Sequence, residues 1–206
     1  MKPATEPPVR SVTERRRNVA LAGHTGDRVT ARAAVDDDAP SVRVSALGAL
    51  DRLGELSDDD LRAALVDDAP EVRRRACELT PGFPAVDVSM ALADDDPVVV
   101  EMAAWASGER GDHESVGELS KLASAGSGHE DPLCREAAVA ALGAIGDPQG
   151  LAAILDALTD KPAIRRRAAV ALAAFEGPSV DAALQRCLGD RDWQVRQVAE
   201  DLLAVE

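Results

Sequence analysis

"DPLCREAAVAALGAIGDP", Asp131 to Pro148, is the stretch whose reading decides the fold. It opens on Asp-Pro, rises through an Ala-rich apolar run and closes on Gly-Asp-Pro. An aspartate supplies an N-cap acceptor, and a following proline suits the first helical position, where its missing N–H costs nothing. The stretch therefore reads as one helix between two turns. Its apolar face has no partner within the stretch and must be buried by something stacked on it.

Relatives of this phrase recur. They are "PSVRVSALGAL" from Pro40, "PEVRRRACELT" from Pro70, "PVVVEMAAWAS" from Pro97, "PAIRRRAAVAL" from Pro162 and "WQVRQVAEDLL" from Trp193. With the first residue of each as position zero, successive steps are 30, 27, 35, 30 and 31 residues, the period of a helical array. Position two is apolar and position six is always alanine. Position three is arginine (Arg43, Arg73, Arg135, Arg165, Arg196), with Val100 the exception. Shorter apolar helices lie between these segments, as in "PQGLAAILDAL" and "PSVDAALQRCL". Ser57 to Asp60, "SDDD", has the form of a capping box. "TERRRNVALAGHTGD" at Thr13 to Asp27 reads as an unpaired capping helix.

Composition sets the class. Hydrophobic residues make up 46% of 206, but aromatic residues only 2%, so the core is built of Ala, Leu and Val. The net charge is −14, lysine is confined to Lys2, Lys121 and Lys161, and arginine is plentiful. This acidic, lysine-poor balance resembles proteins of salt-accumulating halophiles, archaeal ones included, in which surface acidity serves solubility rather than fold. No apolar run is long enough to span a bilayer and the start has no secretory h-region, so a cytoplasmic protein without a membrane partner is expected. Cys77, Cys134 and Cys187 form no CxxC and read as buried free thiols.

A helix pair of about 30 residues, an Asp-rich turn and "P-x-V-R-x-x-A-x-x-A-L" together resemble the HEAT repeat, specifically the bilin-lyase-type HEAT-like family. The resemblance covers residues 11–206 and implies an all-α, right-handed α-solenoid of the HEAT/armadillo type. Six helix pairs and an N-terminal capping helix are expected, thirteen helices in all, with residues 1–10 a disordered tail. It also implies that the longer helix of each pair, B, lines the concave side, that the shorter helix, A, lines the convex side, and that the position-three arginines form a structural ladder with the Asp turns.

The family hosts scaffolds, lyases, hydroxylases and DNA glycosylases, so function must be read from side chains. Positions one, four, five and eight of each B helix should face the groove. There the chain presents Arg74, Arg75, Arg166 and Arg167, and in the middle repeat a stripe of Val98, Glu101, Met102 and Trp105. Tryptophan and arginine are frequent interface anchors, and methionine adapts to irregular surfaces. These eight residues are the candidate partner-binding site, suited to an acidic or amphipathic segment of another protein. Deoxyhypusine hydroxylases, of the same fold, hold two irons through His-Glu pairs inside the B helix. Here His113-Glu114 and His129-Glu130 lie at turns, so no metal, cofactor or catalytic residue is assigned. A non-catalytic scaffold or adaptor is the expectation. A bilin-lyase-like or other small-molecule enzyme is one alternative, short of aromatic residues for a chromophore pocket. A DNA-binding, glycosylase-like protein is another, opposed by the charge of −14.

Overall fold

The computed structural model describes residues 11–204, so the expected N-terminal tail lies outside the described residues. All regular structure among these residues is helical. It divides into two compact units, Met1–Leu79 and Thr80–Glu206. In each, helical hairpins stack side by side, the plan of an α-solenoid.

The first unit holds α1 (Val12–Thr25), α2 (Arg28–Ala33), α3 (Pro40–Leu53), α4 (Asp58–Ala64) and α5 (Pro70–Leu79). The long helices α1, α3 and α5 are the B type, and α2 and α4 are the A type. Ser57 and Asp60 make the expected reciprocal capping box at the start of α4.

The second unit holds α6 (Pro97–Arg110), α7 (Val116–Ala123), α8 (Pro132–Ile145), α9 (Leu151–Ala157), α10 (Pro162–Ala171), α11 (Pro178–Cys187) and α12 (Trp193–Leu203). Asp96 and Asp131 cap α6 and α8 by accepting the N–H groups of Val98 and Leu133 at 2.9 and 2.8 Å. The opening phrase is thus α8, closed by Gly146 at a φ of 67°, a left-handed conformation that glycine adopts without strain.

Twelve α-helices form among the described residues rather than thirteen. The missing one is the A helix expected before α6, where Ser89–Ala93 makes only a 3₁₀ turn. Pro81 and Pro84 remove backbone donors from this stretch, and the 27-residue step leaves too little chain for a full helix. Val86, Val88 and Leu92 still bury their side chains, so the core is filled without the helix.

Two devices repeat along the stack. The first is the arginine–aspartate ladder. Nε and Nη2 of Arg135 lie 2.7 and 3.0 Å from the two Asp160 oxygens. Arg165 grips Asp190 at 2.9 and 2.9 Å, and Arg43 grips Asp67 at 2.8 and 2.6 Å. Each guanidinium also donates from Nη1 to a carbonyl of the turn before its own helix, as Arg135 does to His129 at 2.6 Å and Arg196 to Asp190 at 2.7 Å. Arg73 makes the same bond to Asp67 at 2.8 Å. One planar fork thereby ties two successive turns together. The arginines hold the carboxyls of Asp160 and Asp190 below the usual range. Burial pulls Asp67 the other way, but Arg43 and the Ala69 N–H outweigh it. Arg15 on α1 belongs to the ladder too, with Asp37 at 2.8 and 2.9 Å, although α1 had no place in the aligned repeats.

The ladder changes at one rung. Val100 is buried where the arginine should stand, and by register His129 takes the place of the aspartate in the next turn. His129 Nδ1 accepts the Asp131 N–H at 3.0 Å, just as the turn aspartates Asp37, Asp67 and Asp94 accept a backbone N–H two residues on at 2.9 Å. A valine and an imidazole thus stand on this rung where an arginine and an aspartate stand on the others, so the rung buries no arginine–aspartate pair.

The second device is close approach of B helices. A Cβ at Gly108 would lie 2.9 Å from the Ala141 Cα, and one at Gly143 only 2.6 Å from the Ala171 Cβ. Gly23 stands in the same relation to Ala49, 2.9 Å from its Cα. At these three approaches a B-helix glycine stands against the alanine at position nine of the next B helix. The alanines at position six, from Ala46 to Ala199, are fully buried.

Candidate partner-binding face

On α6 the side chains at positions one, four, five and eight follow the spacing i, i+3, i+4, i+7 and share one face. Val98 and Trp105 are exposed there (Trp105 42%), and Glu101 and Met102 are half-buried. The same positions of α8 and α10 add the exposed Leu133 and Val170. Between α8 and α10 the face dips into two shallow hollows that share Arg167 and Val170. One, of about 340 Å³, is lined also by Glu136, Ala163 and Arg166. The other, of about 380 Å³, has a floor of alanines with Gly143.

The charged residues of this face are unevenly satisfied. Arg166 donates to the Pro162 carbonyl at 3.2 Å and to Gln194, and lies 3.7 Å from Asp192. Arg167 lies 3.5 Å from Glu136. Glu101 makes no ion pair or side-chain hydrogen bond among the described residues. In the first unit, Arg75 lies 2.9 Å from Glu78 and rests its guanidinium over Gly48, while Arg74 is 3.8 Å from the same carboxylate. The four arginines singled out in the sequence are thus engaged with their own chain. Val98, Glu101, Met102 and Trp105 come together on α6 as their spacing requires.

The Gly-rich insertion before α8 does not cover them. Its Ala125 N–H donates to Asp156 at 2.7 Å, which anchors the loop to α9, in the layer of A helices.

Residues 119–204 match the family model of HEAT repeats. Among solved structures, YibA of Escherichia coli is similar at 18% identity, over 96% of this chain and 77% of its own, with a TM-score of 0.64. The complex of CpcE and CpcF of phycocyanin lyase from Nostoc sp. is similar at 22% identity, over 98% and 79%, with a TM-score of 0.61. An engineered protein is similar at 21% identity, over 93% and 95%, with a TM-score of 0.58. No curated protein matches the chain. The fold is a HEAT-repeat fold.

Against that fold, other chemistry-bearing residues take structural places. His129 serves the HEAT ladder. His113 Nδ1 lies 2.8 Å from Asp147, the cap of the turn leading into α9. Among the described residues no three His, Cys, Asp or Glu side chains converge as a metal site. Cys134 is buried and gives its thiol to the Pro97 carbonyl at 3.1 Å, and burial pushes its pKa up to about 11. Cys187 is raised for the same reason. No described helix is long and apolar enough to cross a membrane.

Leu133 and Val170 belong to the face but were not singled out in the sequence. Their signal was present, since each is an apolar residue at one of the positions, one and eight, that share this exposed face on α6.

Proposed function

We propose that this chain is a non-catalytic HEAT-repeat scaffold or adaptor that binds a partner protein through the B-helix face of its second unit. One observation carries the reading. Val98, Trp105, Leu133 and Val170 are large apolar side chains left 42 to 56% exposed on successive B helices, although the repeat has alanine or polar residues available for those places. An apolar row of this kind, with a tryptophan in it and polar groups around it, has the composition of an interface centre. The acidic, lysine-poor surface suits work in a salt-rich cytoplasm, where screening over about 3 Å at about 1 M salt makes the self-repulsion cheap.

The test uses the whole chain as bait in lysate of its host, beside a Val98→Ala, Met102→Ala, Trp105→Ala variant whose helical circular dichroism matches the wild type. A protein retained by the wild type and lost by the variant is the expected result. Identical captures by both baits would move the binding surface elsewhere. The bilin-lyase-like reading makes the opposite forecast: incubation with a bilin and an acceptor protein would transfer colour to the acceptor, and no partner would depend on Trp105.

A further inference from the structure

The chemistry of the partner can be read from the charges left over on this face, given the partner-binding reading above. Arginines on a face favour an acidic segment only where they have no partners of their own. In the structure Arg166 is occupied by Gln194, the Pro162 carbonyl and Asp192, and Arg167 stands beside Glu136. An acidic ligand would have to displace these contacts and would gain little net attraction.

The carboxylates lie differently. Glu101 sits one turn from Trp105 and Val98 on α6 with no partner of its own among the described residues. Glu136 holds the equivalent position on α8, where Arg167 faces it at 3.5 Å. α6 and α8 pack directly on one another, with a Cβ at Gly108 only 2.9 Å from the Ala141 Cα, so the faces carrying Glu101 and Glu136 lie on neighbouring helices. That surface therefore shows apolar side chains around one carboxylate, Glu101, that has no partner among the described residues, backed by a chain of net charge −14.

We propose that the α6–α8 face receives an amphipathic segment of the partner that carries apolar side chains together with lysine or arginine. The apolar residues would cover Val98, Met102 and Leu133. A cation would lie between the Glu101 carboxylate and the face of the Trp105 indole, the ring type that attracts cations best. The acidity of the whole chain would speed the encounter, and the Glu101 pair would fix the register.

The experiment is selection from a displayed library of random peptides on the full chain at about 0.15 M salt, where the screening length is about 8 Å. Sequences that also bind a folded Glu101→Gln, Trp105→Ala variant are discarded. That variant keeps all but one of the acidic charges, so merely basic peptides are removed with it. The expected survivors combine apolar residues with Lys or Arg. A synthetic survivor should bind about tenfold more weakly to Glu101→Gln alone, the loss of one charge-assisted contact at a partly desolvated site. Its binding to Trp105→Ala should be lost. Survivors that are acidic or neutral, or that ignore Glu101→Gln, would overturn the basic chemistry and leave the docking face standing through its dependence on Trp105. If no sequence depends on Trp105, the docking face itself falls, and the lysate capture then reports separately whether the chain binds a protein elsewhere.

Discussion

Replacing Gly143 by alanine should destabilise the protein, although the same change in a free helix would stabilise it. Gly143 lies within α8, where alanine is worth about 1 kcal/mol over glycine in helix propensity. The new methyl carbon, however, would lie 2.6 Å from the Ala171 Cβ and 2.9 Å from the Ala171 Cα. Carbon atoms in contact prefer about 3.5–4.0 Å, so α8 and α10 must part by roughly 1 Å. The obstacle is backbone and Cβ, and no rotamer change relieves it. Overpacking of this kind costs about 1–3 kcal/mol, so the net effect is a loss of up to about 2 kcal/mol. Gly117 on α7 supplies the control. It too is helical with a negative φ, but a Cβ there would meet nothing within 4 Å. Gly117→Ala should therefore gain about 0.5 kcal/mol. Urea unfolding followed by far-ultraviolet circular dichroism would compare the midpoints of the two variants with the wild type. A Gly143→Ala midpoint raised as far as that of Gly117→Ala would refute the claim that glycine at position eleven is there for helix approach.

The ladder makes further forecasts. In a double-mutant cycle of Arg135→Ala and Asp160→Ala, a coupling of about 1–2 kcal/mol is expected from urea midpoints, more than exposed pairs give, because the two side chains are only 10 and 8% exposed. Val100→Arg alone should destabilise by placing a cation at a buried position opposite an imidazole. Adding His129→Asp should recover at least about 1 kcal/mol of that loss in the same assay. The depressed carboxyls of Asp37, Asp67, Asp160 and Asp190 mean that the folded state holds fewer protons than the unfolded one in acid. Their stabilisation is complete above the unfolded carboxylate value of about 4 and is lost as pH falls through the lower folded values, which a series of urea melts in acid would follow. Cys134, buried and with its pKa raised to about 11, should resist a thiol reagent at neutral pH until the protein unfolds, as a spectrophotometric thiol count would show.

Much of this protein was legible in the residues themselves, because its order is local. An N-cap aspartate, an N1 proline, an apolar stripe and a glycine stop are all set within one helix, and they repeat at a nearly constant step. Sequence reading therefore placed the B helices, the all-α class and the α6 face, where neighbours four residues apart must share a side. Six full pairs and a cap made thirteen helices the expectation, because the alternation of A and B elements demanded an A helix before α6. Two prolines and a short step decided otherwise, and the core closed over Val86, Val88 and Leu92 instead.

What only the tertiary structure decided are relations between residues one repeat apart, from 22 positions for Arg15 and Asp37 to 33 for Gly108 and Ala141. Which aspartate each arginine grips, that Arg15 joins the ladder, and that Val100 and His129 fall on the same rung all depend on the register of stacked helices. So does the use of glycine at position eleven, which looks like a weak point in an isolated helix and is a contact surface in a packed one. The same holds for the charges of the candidate face. A row of arginines in the sequence looks available, but Arg166 and Arg167 find partners on neighbouring elements, while Arg74 and Arg75 share Glu78 on their own helix. The structure engaged those arginines with their own chain and left Glu101 without a partner among the described residues. Periodicity is a property of one helix and can be read along the chain, whereas pairing is a property of two helices and exists only once they meet.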